Sequence, residues 1–141
     1  TVRESPYVCL MRAGHPLAAG RLTLARYLSA QHLQVLVQPG AFGGIDQTLA
    51  RLGHARDIRL VAAHFGAALG LLPRSELLLT VPDDLAPDAA ARGLVRRALP
   101  FALEPFRHQL AMSRRAGEDP GLAWLVERIA AAPGRRARSA R

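Results

Sequence analysis

V-L-V-Q-P-G-A-F-G-G-I-D-Q-T-L-A-R-L-G, Val35 to Gly53, passes from a short apolar run through a glycine-rich turn into a segment with helical spacing. The first backbone N–H groups of a helix lack intrahelical partners, and the helix dipole favours negative charge beside them. Strand, loop and helix start together therefore make a site for an anion. Nucleotides, sugars, carboxylates and sulfate all meet that description. A P-loop would need G-x-x-x-x-G-K-[ST], and a dinucleotide fold would need G-x-G-x-x-G with an acidic residue about 20 positions on. Gly40, Gly43 and Gly44 fit neither pattern, no lysine comes after them, and Asp57 lies too close for a ribose contact. The plainer reading is that these glycines let the chain turn with positive φ.

Working outward, Val35 to Val37 reads as a buried strand and Gly44 to Leu52 as an amphipathic helix carrying Ile45, Leu49 and Leu52, stopped by Gly53 at its C′ position. Upstream, Tyr7 to Met11 is an apolar strand closed by R-A-G-H-P, and Leu22, Leu24, Tyr27 and Leu28 recur at helical spacing around Thr23, an N-cap residue. Downstream, strands are expected at Ile58 to Ala62, Glu76 to Val81, Leu94 to Leu99 and Arg107 to Ser113. Helices are expected at Phe65 to Leu72, Asp83 to Arg92 and Pro120 to Ala131. Strands alternating with helices across short loops predict an α/β architecture with a mainly parallel sheet. Ligands of such sheets sit at the carboxyl ends of strands. The opening turn, H-F-G-A-A (His64 to Ala68) and T-V-P-D-D (Thr80 to Asp84) all come after strands, so three turns of one sheet can converge on one cleft.

Composition narrows the function. At 141 residues, half of them apolar and 5% aromatic, the chain makes one domain or a two-lobed unit burying about two-thirds of its unfolded surface. The single cysteine, Cys9, excludes an intrachain disulfide and sits in an apolar strand where it is inert. The net charge of +8 raises nucleic acid as a partner. Every basic residue is arginine, however, a bias that reflects codon composition more than a recognition patch, and several crowd into P-G-R-R-A-R-S-A-R (Pro133 to Arg141), a disordered tail. No apolar run reaches the roughly 18 residues of a membrane span, and T-V-R-E-S-P-Y-V is no signal peptide. Cytoplasm is the expected compartment. Thr1 is not an initiator, so the chain reads as a fragment.

The order of segments, V-C-L-M-R, H-P-L-A, L-T-L-A-R-Y-L, V-L-V-Q-P-G, then H-F-G-A-A-L-G-L-L-P-R-S-E-L-L-L-T-V-P and finally F-R-H-Q-L-A-M-S-R-R-A-G-E-D-P-G-L-A-W-L-V-E-R-I, resembles the effector-binding domain of LysR-type transcriptional regulators. No one motif is specific; their shared order is. The resemblance implies an α/β fold like the type 2 periplasmic binding proteins, two lobes joined by crossing strands with a small-molecule inducer between them. Residues 1–14 would hold the crossing strand, 15–99 the second lobe, 100–132 the return strand and last helix of the first lobe, and 133–141 the tail. Gln38, Pro39 and Gly40 would face the cleft from one turn, His64 and Phe65 from the next, and Thr80, Val81 and Pro82 from the third. Small polar and backbone N–H groups on apolar walls suit a carboxylate or an aromatic acid. The resemblance also implies a homo-oligomeric regulator that touches DNA only through a winged helix-turn-helix without counterpart here, with no cofactor and no membrane.

Bland readings compete at several positions: core packing for Phe65, a hydrogen-bonded structural histidine at 64, a turn role for His15 before Pro16, and core or lobe packing for Trp124. The histidines at 15, 32, 54, 64 and 108 show no metal-ligand spacing. No G-x-S-x-G elbow or nucleophile beside a base is present, so no catalytic residue and no enzyme is expected. A solute-binding protein for transport shares the fold and is the main alternative; an enzyme on a doubly wound sheet is the third.

Overall fold

Y-V-C-L-M-R lacks the polar alternation of a half-exposed strand, and Tyr7–Arg12 forms β2 with Cys9, Leu10 and Met11 fully buried. In a computed structural model, which describes residues 3–36, 44–113 and 119–132, β2 joins β3 (Gln31–Val35), β4 (Asp57–Ala62), β5 (Leu78–Pro82) and β6 (Leu94–Ala98) in one sheet of order β4-β3-β5-β2-β6. β3 runs parallel to both β4 and β5. β2 runs against its two neighbours, β5 and β6. The sheet is thus mixed where a mainly parallel one was expected, because periodicity reports burial and a strand buried on both faces reads alike in either direction.

Side-chain alternation divides the core into two layers. Leu10, Leu79 and Val81 face one side, where Ala68, Leu69 and Leu72 of α3 (Phe65–Leu71) and its 3₁₀ continuation (Leu72–Arg74) cover them. Cys9, Met11 and Leu78 face the other, against Tyr27 of α1 (Leu24–Ser29) and Leu49 of α2 (Gly44–Arg51). The Thr23 hydroxyl caps α1 by accepting from the Arg26 N–H at 3.3 Å. Gly53, at φ 77°, takes the left-handed turn that ends α2, as its position predicted.

Four expected elements shift. The strand before the glycine turn begins at Gln31, its first half hidden by the polar but fully buried His32, while Val37 lies outside the described residues. The strand expected from Glu76 starts at Leu78 because Ser75 holds the preceding turn, its hydroxyl accepting from the Leu77 N–H. Asp83 to Arg92 forms two 3₁₀ turns, Asp83–Leu85 and Ala90–Arg92, since Pro87 interrupts any single helix. The last strand, β7, covers only Phe106–His108, pairing with the equally short β1 (Arg3–Ser5); Gln109 to Ser113 is exposed and in no strand.

The final helix, α4 (Pro120–Ala131), is capped by Asp119, whose carboxylate accepts from the Gly121 and Leu122 N–H groups, and Pro120 opens its first turn. None of its residues is buried. Trp124, expected to pack, is 61% exposed and lies beside Arg128, whose guanidinium stands 6.0 Å from the ring centre. The apolar stripe of Leu122, Leu125 and Ile129 is exposed as well, and Trp124 projects from a different face of the helix.

Candidate functional site

Because β4, β3 and β5 are adjacent and run the same way, the turns at their carboxyl ends emerge at one end of the sheet. β2 begins at that end, with Tyr7 opposite Pro82, and β6 finishes there, with Ala98 opposite Val8. The β1–β7 ribbon attaches beside it through Pro6. The carboxyl ends of the three strands thus share one end of the sheet, while the turn that follows β3 lies outside the described residues.

The candidate residues fall into three groups. Gln38, Pro39 and Gly40 lie outside the described residues. His64 stands at the start of α3 with extended backbone and an exposed ring that does not cap the helix. Phe65 is half-buried, packed on the core layer that contains Leu10 and Val81. Thr80, Val81 and Pro82 are buried within β5. The Thr80 hydroxyl lies 2.9 Å from that of Tyr27, on the α1 side of the sheet, and Val81 packs on the α3 side. The side chains of β5 are thus buried on both faces of the sheet, while the His64 ring, just after β4, is exposed.

The contacts made just after Pro82 were less legible. The Asp83 N–H donates to the Pro6 carbonyl at 2.9 Å, and the Asp84 N–H to the buried Ser5 hydroxyl at 3.2 Å. The Asp83 carboxylate meets Arg96 Nε at 2.8 Å. Asp84 Oδ2 lies 2.7 Å from His108 Nε2 and 3.6 Å from Arg3 Nε, so one carboxylate reaches both strands of the ribbon. The Phe106 ring stands edge-on to Tyr7 at 6.3 Å and to His108 at 4.9 Å. Burial raises the Tyr7 hydroxyl above its ordinary pKa. The paired aspartates were visible in T-V-P-D-D, but their partners are far away along the chain, at Arg3, Arg96 and His108, and no spacing rule links them.

Two other features bear on chemistry. Burial pushes the Cys9 thiol up to about 12, so it is not a nucleophile at neutral pH. A groove of about 490 Å³ runs between Arg21–Leu22 and Arg97–Phe101, open along one side. The Arg97 guanidinium donates to the carbonyls of Arg96 and Ala18, which leaves the groove shape more than free donors. Among the described residues no group of His, Cys, Asp or Glu could hold a metal ion.

A family model, the LysR substrate binding domain, matches residues 1–133. The chain belongs to the LysR substrate-binding domain family. It is 42% identical over 83 residues to the transcriptional activator NahR of Pseudomonas putida, a match covering 59% of this chain and 28% of NahR. It is 32% identical over 128 residues to the transcriptional activator NagR of Ralstonia sp., covering 84% of this chain and 40% of NagR. The chain therefore spans less than half the length of these two relatives. Among solved structures, a putative transcriptional regulator from Vibrio parahaemolyticus superposes with a TM-score of 0.79 at 31% identity, over 92% of this chain and 61% of that one. The fold is that of LysR substrate-binding domains, like the type 2 periplasmic binding proteins, and the relatives are named as regulators and activators of transcription. That naming does not favour the transport alternative. No helix of the described residues is long and apolar enough to cross a membrane.

Proposed function

We propose that this LysR substrate-binding chain senses a small-molecule carboxylate, an aromatic acid among the candidates, at the strand-end turns of its five-stranded lobe. The reading rests chiefly on one observation: β4, β3 and β5 are adjacent and parallel, so their carboxyl ends lie at a single end of the sheet, with the exposed His64 just after β4 and the buried Thr80, Val81 and Pro82 closing β5. Gln38, Pro39 and Gly40 are assigned to the same wall by their place after β3. Phe65 supplies an apolar edge. The chain works by binding and not by catalysis, without a cofactor.

Residues 15–99 are then the second lobe, residues 1–14 and 100–132 belong to the crossing strands and the returning first lobe, and 133–141 form a basic tail. The signal passes to a DNA-reading winged helix-turn-helix in a longer, homo-oligomeric cytoplasmic protein. Calorimetric titration of the chain with benzoate, the simplest aromatic carboxylate, tests the site. With one lobe supplying most contacts, we expect a millimolar dissociation constant, equivalent to about 4 kcal/mol. His64→Ala and Gln38→Ala should each weaken it severalfold; if both stay within about twofold of the parent, which is under 0.5 kcal/mol, the turns are not the site.

A further inference from the structure

The β1–β7 ribbon consists of three residue pairs, Arg3 with His108, Glu4 with Arg107 and Ser5 with Phe106. A two-stranded ribbon of that length is marginal by itself. It joins the lobe covalently through Pro6 on one side and through residues 99–105 on the other, where Phe101 stands edge-on to Tyr27 at 5.4 Å. The turn after β5 adds polar contacts to the ribbon itself.

Asp84 is central there. Its carboxylate, 12% exposed, stands 2.7 Å from Nε2 of His108 of β7, an ion-pair approach in which that nitrogen makes no hydrogen bond, and 3.6 Å from Nε of Arg3 of β1. Its backbone N–H donates to the hydroxyl of Ser5, itself 3% exposed, while the preceding N–H, of Asp83, donates to the Pro6 carbonyl. Four contacts from two consecutive residues thus hold both strands of the ribbon. The exposed Arg107–Glu4 pair, at 3.1 Å, links the two strands to each other but not to the lobe. Phe106 packs edge-on to both His108 and Tyr7, so a shift of the His108 ring is felt at the first residue of β2.

We propose that Asp84 is the positioning residue that clasps both crossing strands to the lobe, so that any displacement of the Pro82–Asp84 turn moves β1 and β7 together. Its bearing on signalling rests on the proposed carboxylate site, which that turn would border. The clasp itself is independent of any ligand and can fail or stand separately.

Hydrogen exchange on the 141-residue chain tests it without a ligand. In Asp84→Asn and in His108→Gln, the amides of Arg3 to Ser5 and Phe106 to His108 should exchange about tenfold faster, while those of Cys9 to Met11 and Leu78 to Val81 keep their protection. The double variant should add little to either single one, since both remove the same contact. Ribbon exchange within about twofold of the parent in both single variants would overturn the proposal. So would equal acceleration of ribbon and sheet, which would make Asp84 a contributor to overall stability and nothing more. Should Asp84→Asn not fold, His108→Gln alone decides between these outcomes.

Discussion

At the scale of single residues, His32 shows how a polar group can be part of a core. It is fully buried on β3, its Nε2 2.9 Å from the Tyr27 carbonyl and its ring 4.6 Å from the tyrosine ring. Nε2 must carry the proton to donate to that carbonyl, which leaves Nδ1 without a hydrogen-bond partner among the described residues. Burial lowers its pKa from the ordinary 6.5 to about 4, with the neighbouring Arg56 charge acting in the same direction. The unfolded chain therefore binds a proton that the folded chain refuses. This contribution to stability is present above about pH 6.5 and is lost as the pH falls towards 4, amounting to about 3 kcal/mol at most. Urea denaturation at pH 7.5 and pH 5 should show the parent losing more stability than His32→Gln, whose amide does not titrate. Equal losses in the two proteins would mean that His32 is not the group responsible. The same residue explains a misplaced boundary: a histidine inside an apolar run reads as the end of a strand unless its carbonyl partner, on the preceding helix, is known.

Elements are joined by a second buried polar contact. Asp46, in the first turn of α2, takes two bonds of 2.7 Å from the guanidinium of Arg56, which leads into β4. Burial works against the Arg56 charge, yet the bond to Asp46 and the nearby Tyr27 hold its pKa above the ordinary value. The pair fixes the start of α2, the end to which the glycine turn leads. The Arg56 side chain is 2% exposed and that of Asp46 24%, so the two partners are not equivalent. Asp46→Ala strands a dry cation and should cost about 3–5 kcal/mol, whereas Arg56→Met leaves a carboxylate that water can reach and should cost less. Urea midpoints in the opposite order would show that burial does not set this hierarchy. Helices α1, α2 and α4 were legible because Thr23, Gly53, Asp119 and Pro120 signal ends locally. The split at Pro87 was readable from the proline itself; the direction of β2 and the Asp84–His108 contact were not, because each depends on the surroundings a segment meets in space and not on its own pattern.

For the whole molecule, the lobe and its appendages differ in support. The central strands of the sheet are covered on both faces, although β4 leaves Leu60 and Val61 exposed, whereas α4 has no buried residue and leaves Leu122, Trp124, Leu125 and Ile129 between 39% and 61% exposed. A helix of about a dozen residues without tertiary packing is marginal in water. Its amides should therefore exchange at least about tenfold faster than those of β2 and β5 in a monomer, and equal protection would show that something covers the helix. The proposed function, by contrast, places the ligand at the end of the lobe where β3, β4 and β5 finish. The most direct test of that proposal is to record two-dimensional amide spectra of the chain during a benzoate titration into the millimolar range. Binding at the turns predicts saturable shifts clustered at Gln38, residues 40–44, His64, Phe65, Asp83 and Asp84, with the groove residues Arg97 to Leu99 and Phe101 and the α4 helix unmoved. Saturable shifts confined to that groove or to α4, or none at any of the strand-end turns, would contradict it.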